Sequence, residues 1–256
     1  MVLTILMIWV DTHCHLDVSP LCDDVDGVVA RSRAAGVETI IAVSYDLQSW
    51  SAVTQLARRP GVLAAIGLHP WKADEPLEKT ALIAALQRAK AVAVGEIGLD
   101  SKVPVPRDRQ VDVLRLQLDV ARELDLPVLL HCRGAFEEML ALLEDYRPWL
   151  RGIIHAFSRG PDLAQRFAEL GLYVAFGGAI TQPNAHRAQA CAKSLPLELI
   201  VVETDAPSIA LQGIAAEKVE PAHTATIGHE LARLRGISPD EAAMATTTNV
   251  AALLRI

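Results

Sequence analysis

The chain has 256 residues, 51% hydrophobic and only 4% aromatic, with a formal net charge of −7. That length and aliphatic bias fit one α/β barrel, while the acidic balance excludes a surface that grips long nucleic acid by neutralising many phosphates. The cysteines Cys14, Cys22, Cys132 and Cys191 form neither a C-x-x-C pair nor a disulfide framework, the apolar Met1–Val10 segment lacks a basic n-region and cleavage site, and no apolar run spans a bilayer; a soluble, cytoplasmic protein with reduced thiols is expected.

Short β-branched apolar runs alternate with helical patterns along the whole chain. Ile5–Asp11 is the first run, followed by a helix around Asp26–Ala35 that Gly36 stops. Thr39–Val43 leads to a helix with Trp50, Val53 and Ala57 on one face, ended by Pro60-Gly61. Leu63–Leu68 leads through His69-Pro70 to a helix around Leu77–Ala89. Ala91–Gly95 is the fourth run, and a loop with Pro104 and Pro106 precedes a helix bearing Val111, Leu114, Leu118 and Ala121. Pro127–Leu130 is the fifth, before a helix with Phe136, Met139, Leu140 and Leu143. Gly152–Ile154 is the sixth, and Pro161 opens a helix with Leu163, Phe167 and Leu170. Leu172–Phe176 and Leu199–Val202 are the seventh and eighth. Two helices close the chain, one with Ile227, Leu231 and Leu234 before Gly236, the other opened by Ser238-Pro239-Asp240-Glu241 with capping-box spacing.

Near-continuous apolar strands are buried on both faces, as in parallel sheets. Eight such strands in this length predict a closed (β/α)₈ barrel, and no Gly-x-Gly-x-x-Gly after the first strand favours an open doubly wound sheet. No linker, repeat or low-complexity segment divides the chain, so residues 1–256 read as one domain.

Active sites of these barrels form at the carboxyl ends of the strands, and six of the eight runs finish on a His or a carboxylate. These ends are His13-x-His15, His69, Glu96 and Asp100, His131-Cys132-Arg133, His155, and Glu203-Thr204-Asp205. Residues two apart on an extended chain share a face, which aligns His13 with His15. The same rule aligns Glu203 with Asp205 and leaves the choice between them open, and it turns Cys14 and Cys132 away from the ligating face. His186, His223 and His229 fall in loop or helical stretches and read as surface residues.

A His/Asp/Glu set without thiolate suits Zn²⁺, Mn²⁺, Fe²⁺ or Co²⁺ better than Ca²⁺. Four imidazoles and two carboxylates exceed the needs of one tetrahedral ion, so two divalent ions (Zn²⁺, Mn²⁺ or Mg²⁺) about 3.5–4 Å apart are expected. In this assignment His13 and His15 hold one ion, His131 and His155 the other, and Glu96 bridges them. Asp205 completes the first site and takes a proton from the attacking water. His69 is a candidate for substrate phosphate or for a loop cap, and Arg133 for an anionic substrate or an ion pair.

With these residues assembled, the sequence resembles the TatD family of metal-dependent hydrolases. The resemblance rests on Asp11-Thr12-His13-Cys14-His15-Leu16-Asp17, Gly67-Leu68-His69-Pro70, Gly95-Glu96-Ile97-Gly98-Leu99-Asp100, Leu126-Pro127-Val128-Leu129-Leu130-His131-Cys132-Arg133, Ile154-His155-Ala156-Phe157-Ser158 and Glu203-Thr204-Asp205-Ala206-Pro207. It implies a (β/α)₈ barrel, a divalent-metal centre with ligands His13, His15, Glu96, His131, His155 and Asp205, and deoxyribonuclease or related phosphodiesterase activity. It also selects Asp205 over Glu203. Two departures stand out: many members follow Gly-Leu-Asp with tyrosines, where this chain has Asp100-Ser101-Lys102, and Val219-Glu220-Pro221 lies in a less basic context than in the family. Aromatic side chains stack bases, so the expected substrate is a phosphoester, with DNA ends or short nucleic acid as its specific form and no membrane partner; a monomer is compatible with the sequence. The alternatives are an amidohydrolase cutting a C–N or carboxylic ester bond and a non-catalytic metal-binding protein. Many binuclear amidohydrolases carry a carboxylated lysine where this chain has Glu96, which favours phosphoester chemistry.

Overall fold

A computed structural model describes residues 8–255, so Ile5 to Met7 of the first predicted run lie outside the described residues. Among those residues eight parallel strands follow one another around a single sheet in chain order. They are β1 (Trp9–Cys14), β2 (Val37–Val43), β3 (Val62–Ile66), β4 (Ala93–Asp100), β5 (Val128–Arg133), β6 (Gly152–Ile154), β7 (Leu172–Phe176) and β8 (Ile200–Val202). The helices are α1 (Val25–Ala34), α2 (Ser49–Leu56), α3 (Lys79–Ala89), α4 (Arg107–Glu123), α5 (Phe136–Glu144), α6 (Pro161–Glu169), α7 (His186–Ser194), α8 (Thr224–Arg235) and α9 (Pro239–Leu254). Parallel neighbours in sequence order, each reached through a helix, are the TIM-barrel arrangement that the sequence predicts. No helix among the described residues is long and apolar enough to cross a membrane.

Two elements depart from the sequence reading. β4 runs past Gly95 to Asp100, pairing Gly98 with His131 and Asp100 with Arg133. Its second half is interleaved with glycines and reads as loop, because the sequence cannot show that β5 lies alongside. Helix α7 has no counterpart in the predicted elements, since its buried face is only Ala188, Cys191 and Ala192 and gives no strong apolar stripe.

The ladder is irregular where the polar residues stand. Register shifts fall between Asp11 and Cys14 on β1 and between Val94 and Ile97 on β4, bracketing His13 and Glu96. Such bulges re-aim a side chain that regular alternation would send elsewhere. Gly98 makes the β4–β5 approach possible: at φ +157° a Cβ there would stand 1.9 Å from the His131 carbonyl oxygen.

Between β8 and β1 the barrel is joined by side chains as well as backbone. Asp11 accepts from the Thr204 N–H at 2.9 Å and from its hydroxyl at 2.6 Å, and Thr12 Oγ1 donates to the Val202 carbonyl at 3.1 Å. The Asp205 N–H donates to the His13 carbonyl, and the His15 N–H to that of Ala206, both at 2.9 Å. Burial pushes the Asp11 carboxyl up to about 7 even though the Thr204 hydrogen bonds pull it down.

The barrel interior is filled by Val10, Ile41, Val43, Ala65, Ala93, Leu129, Ile153, Ala175 and Val201, against which Val250, Leu253 and Leu254 of α9 pack. Asn249 donates to the Leu197 and Ile200 carbonyls and Thr247 to that of Ile8, pinning α9 where β8 and β1 begin. Outside the sheet, Trp9 is fully buried against α8, and a Cβ on Gly228 would lie 2.3 Å from two of its ring carbons. Gly228→Ala therefore sets a helix-propensity gain of about 1 kcal/mol against over-packing of a rigid indole, which costs about 1–3 kcal/mol. With Trp9 unable to yield, the clash wins. The melting temperature should fall by roughly 2–4 °C per kcal/mol of net loss; an unchanged or raised value in a thermal melt would contradict this packing.

Candidate metal centre

The ends of four strands, β1, β3, β5 and β6, bring imidazoles to the carboxylate of Glu96 on β4, which is 2% exposed. Its Oε2 lies 3.2 Å from His13 Nε2 and 3.6 Å from His15 Nε2. Its Oε1 lies 2.9 Å from His131 Nδ1, 2.8 Å from His155 Nε2 and 3.3 Å from His69 Nε2. Burial alone would raise the Glu96 carboxyl, but the imidazoles of His69, His155 and His13 outweigh it and hold the group well below the usual carboxylate range. His13 stacks on His155, centroids 4.1 Å apart and planes 13° from parallel.

Asp205 and Glu203 separate in a way that strand alternation cannot predict. β8 ends at Val202, and Asp205 adopts φ +51°, left-handed backbone that Asp tolerates better than most residues. Its Oδ1 reaches 3.4 Å from His15 Nε2 and 4.0 Å from His13 Nε2. Burial opposes its ionisation, but the His15 hydrogen bond and the charges of His13 and His155 leave it below the ordinary aspartate value. Burial likewise opposes protonation of His15, yet Asp205 and Glu96 raise it to about 9. Glu203 turns the other way: its Oε1 accepts from the Ala156 N–H at 2.5 Å and stands 3.6 Å from His155 Nδ1, behind that ring.

The back of each ring decides what its front can do. Asp100 Oδ2 lies 3.3 Å from His131 Nε2 while Glu96 Oε1 faces its Nδ1, so both carboxylates favour the protonated ring, and a cation displacing the Nδ1 proton would leave Nε2–H held by Asp100. His69 is set the opposite way, for its Nδ1 accepts from the Trp71 N–H at 3.2 Å. With that lone pair engaged, the proton of the neutral ring sits on Nε2 and points into the site. Burial pushes His69 down to about 4, which keeps the ring neutral near pH 7. His69 thus caps the turn at Pro70–Lys72, one of the two roles its sequence position suggests, and turns its Nε2–H toward Glu96.

His15, His69, Glu96, His131, His155 and Asp205 line a cleft of about 640 Å³ whose walls include Tyr45, Trp71, Phe136, Arg133 and Arg159. Cys132 also borders this cleft instead of facing away, which corrects the alternation argument; burial pushes its thiol up to about 12. Cys14 is fully buried, as expected. His186 and His229 are exposed, but His223 is half-buried and its Nδ1 accepts from the Glu220 N–H, so it is a capping residue and not a surface one.

The donor set fits divalent cations. Ligand atoms of His13, His15 and Glu96 lie within 4.8 Å of one another, as do those of His69, Glu96 and His131, and those of His13, His155 and Glu203. Both ring nitrogens of His13 are buried without a hydrogen-bond partner, an arrangement that is costly unless something else accepts the lone pair. Asp100, Glu203 and Trp71 are the residues at the site whose roles the sequence did not single out. The first two stand inside quoted motifs and the third directly follows His69-Pro70, so adjacency was the available signal.

The family described as TatD related DNase matches residues 10–255 of the chain. The Escherichia coli uncharacterized metal-dependent hydrolase YjjV is 36% identical over 97% of this chain and 98% of its own length. The crystal structure of that TatD homologue superposes with a TM-score of 0.91, covering 97% of this chain and 98% of the other. The Salmonella typhimurium 3′-5′ ssDNA/RNA exonuclease TatD is 30% identical over 96% of this chain and 98% of its own. With matches spanning the whole barrel and all of its polar strand ends, the chain belongs to the TatD family of metal-dependent hydrolases.

Proposed function

We propose that this chain hydrolyses phosphodiester bonds at the ends of single-stranded nucleic acid, using two divalent cations, and that residues 1–256 work as one catalytic unit. The observation that carries the reading is the split of Glu96. One carboxylate oxygen faces His13 and His15 while the other faces His131 and His155, which is the disposition of a bridging ligand. His13, His15, Glu96 and Asp205 would hold one cation, and His131, His155 and Glu96 the other. When bound, such a pair supplies positive charge against phosphoryl oxygens and makes water acidic enough to be deprotonated near neutral pH.

The chain's own groups do the rest. Asp205, kept ionised among imidazoles, accepts the proton of the attacking water. His69, neutral and with its Nε2–H aimed into the centre, donates to a substrate oxygen. Asp100 and Glu203 fix the rings of His131 and His155 from behind. At the mouth, Arg133 is exposed and neither it nor Arg159 has a carboxylate partner among the described residues, whereas most other arginines do. Free guanidinium groups beside an acidic chain's cleft suit a phosphate of the substrate backbone. The exonuclease named among the relatives supports the choice of nucleic acid.

Metal analysis of the purified protein, followed by assays on phosphodiesters, phosphomonoesters, single-stranded DNA and amides, tests this reading. Asp205→Asn should lower kcat for phosphodiesters by about 10²- to 10⁴-fold, and Glu96→Ala should remove both turnover and bound metal; amide turnover without phosphoester turnover would overturn it. Metal binding should also release protons. Because His15 is raised to about 9, it carries a proton at pH 7.5 that a cation must displace, so affinity should climb with pH up to that value. Calorimetric binding enthalpies at pH 7.5 that do not vary with the ionisation enthalpy of the buffer would contradict the assignment of His15.

A further inference from the structure

The loop after Asp100 lacks tyrosines, yet an aromatic ring stands at that same carboxylate. Trp71, carried in from the end of β3, donates its Nε1–H to Asp100 Oδ2 at 2.6 Å. The same oxygen lies 3.3 Å from His131 Nε2, so the indole is one carboxylate removed from a ring that faces Glu96. Its backbone is tied as well, through the N–H that His69 accepts.

This anchored ring is open to solvent. Trp71 is 41% exposed and lines the cleft, whereas Trp9 is fully buried and Trp50 and Trp149 are half-buried. His69 and Tyr45 approach it nearly perpendicular, at 84° and 89°, so no aromatic ring among the described residues stacks on it. A large ring face held in place by hydrogen bonds and open to water beside the cleft is suited to a planar ligand. The same cleft is lined by Arg133 and by Arg159, which lies 5.0 Å over the Phe136 ring with its guanidinium unpaired. A planar face and free cations lining one cleft match a nucleotide, with base to the first and phosphate to the second.

We propose that Trp71 is the platform on which an unpaired base of the substrate stacks beside the metal centre. This rests on the phosphodiesterase reading and adds the part of the substrate that the cations do not hold. Stacking is sequence-tolerant because every base has a π-face, so the platform gives preference for nucleic acid over other phosphoesters without preference for one base.

The test compares an oligothymidylate with an abasic tetrahydrofuran oligomer of equal length, which has the same phosphates and no bases. KM is measured on the metal-loaded enzyme, and Kd by anisotropy of the labelled oligomers on the metal-loaded Asp205→Asn variant. Both constants should favour oligothymidylate by about 5- to 150-fold. Trp71→Ala should abolish that preference, and Trp71→Phe, which keeps a ring but loses the bond to Asp100, should retain most of it. Equal affinity of the wild type for both oligomers would overturn the platform and leave phosphodiester hydrolysis standing. A Phe variant as impaired as the Ala variant would also overturn it, making Trp71 a residue that acts only by positioning Asp100. Base-dependent binding without turnover of either oligomer would support the platform and refute the hydrolytic reading; neither binding preference nor turnover would refute both.

Discussion

The histidines at the carboxyl rim of this barrel are arranged around one buried carboxylate, Glu96. An isolated ionised Glu96 at that depth would be too costly to keep. It is kept charged because five imidazoles from the ends of β1, β3, β5 and β6 arrive within 2.8–3.6 Å of its oxygens. Features that would otherwise be defects become intelligible in that light. The register shifts in β1 and β4 fall at His13 and Glu96, and the missing side chain at Gly98 lets the two central strands close on His131. A barrel selected only for stability has no reason to carry them.

Residue type alone does not assign roles within this cluster; the atom engaged behind each ring does. His69 and His131 both face Glu96, but one is backed by a backbone donor and the other by a carboxylate. The first is left with an Nε2 proton to give, and the second keeps its Nε2 proton on Asp100, so that its Nδ1 is the nitrogen a cation would take. Glu203 and Asp205 show the same division among acids, one behind His155 and the other beside His15. Backing groups of this kind make a centre rigid before any ligand enters, which is how such sites lower reorganisation on binding.

The eight strands were legible because buried parallel strands are apolar throughout, and the site was legible because its residues cluster at their ends. The limits follow from what a linear reading can see. Alternation aligned His13 with His15 correctly because both lie on or just past β1, but it could not distinguish Glu203 from Asp205 once the backbone left β-geometry at φ +51°. The resemblance settled what geometry had left open. The role of Trp71 is not visible in the linear sequence, because its partner Asp100 lies 29 residues away. Cys132 was misdirected by the same alternation rule, near the carboxyl end of β5 where the strand opens into the cleft. Tertiary neighbours, not local pattern, decided each of these.

Helix α9 has a consequence for how the cleft is reached. Val250, Leu253 and Leu254 cork the barrel where its strands begin, and Asn249 and Thr247 fasten the cork to β8 and β1. The cleft is therefore a cul-de-sac and not a tunnel. For the proposed nucleic-acid substrate this means that no strand would thread the barrel, and that substrate and product would share one mouth.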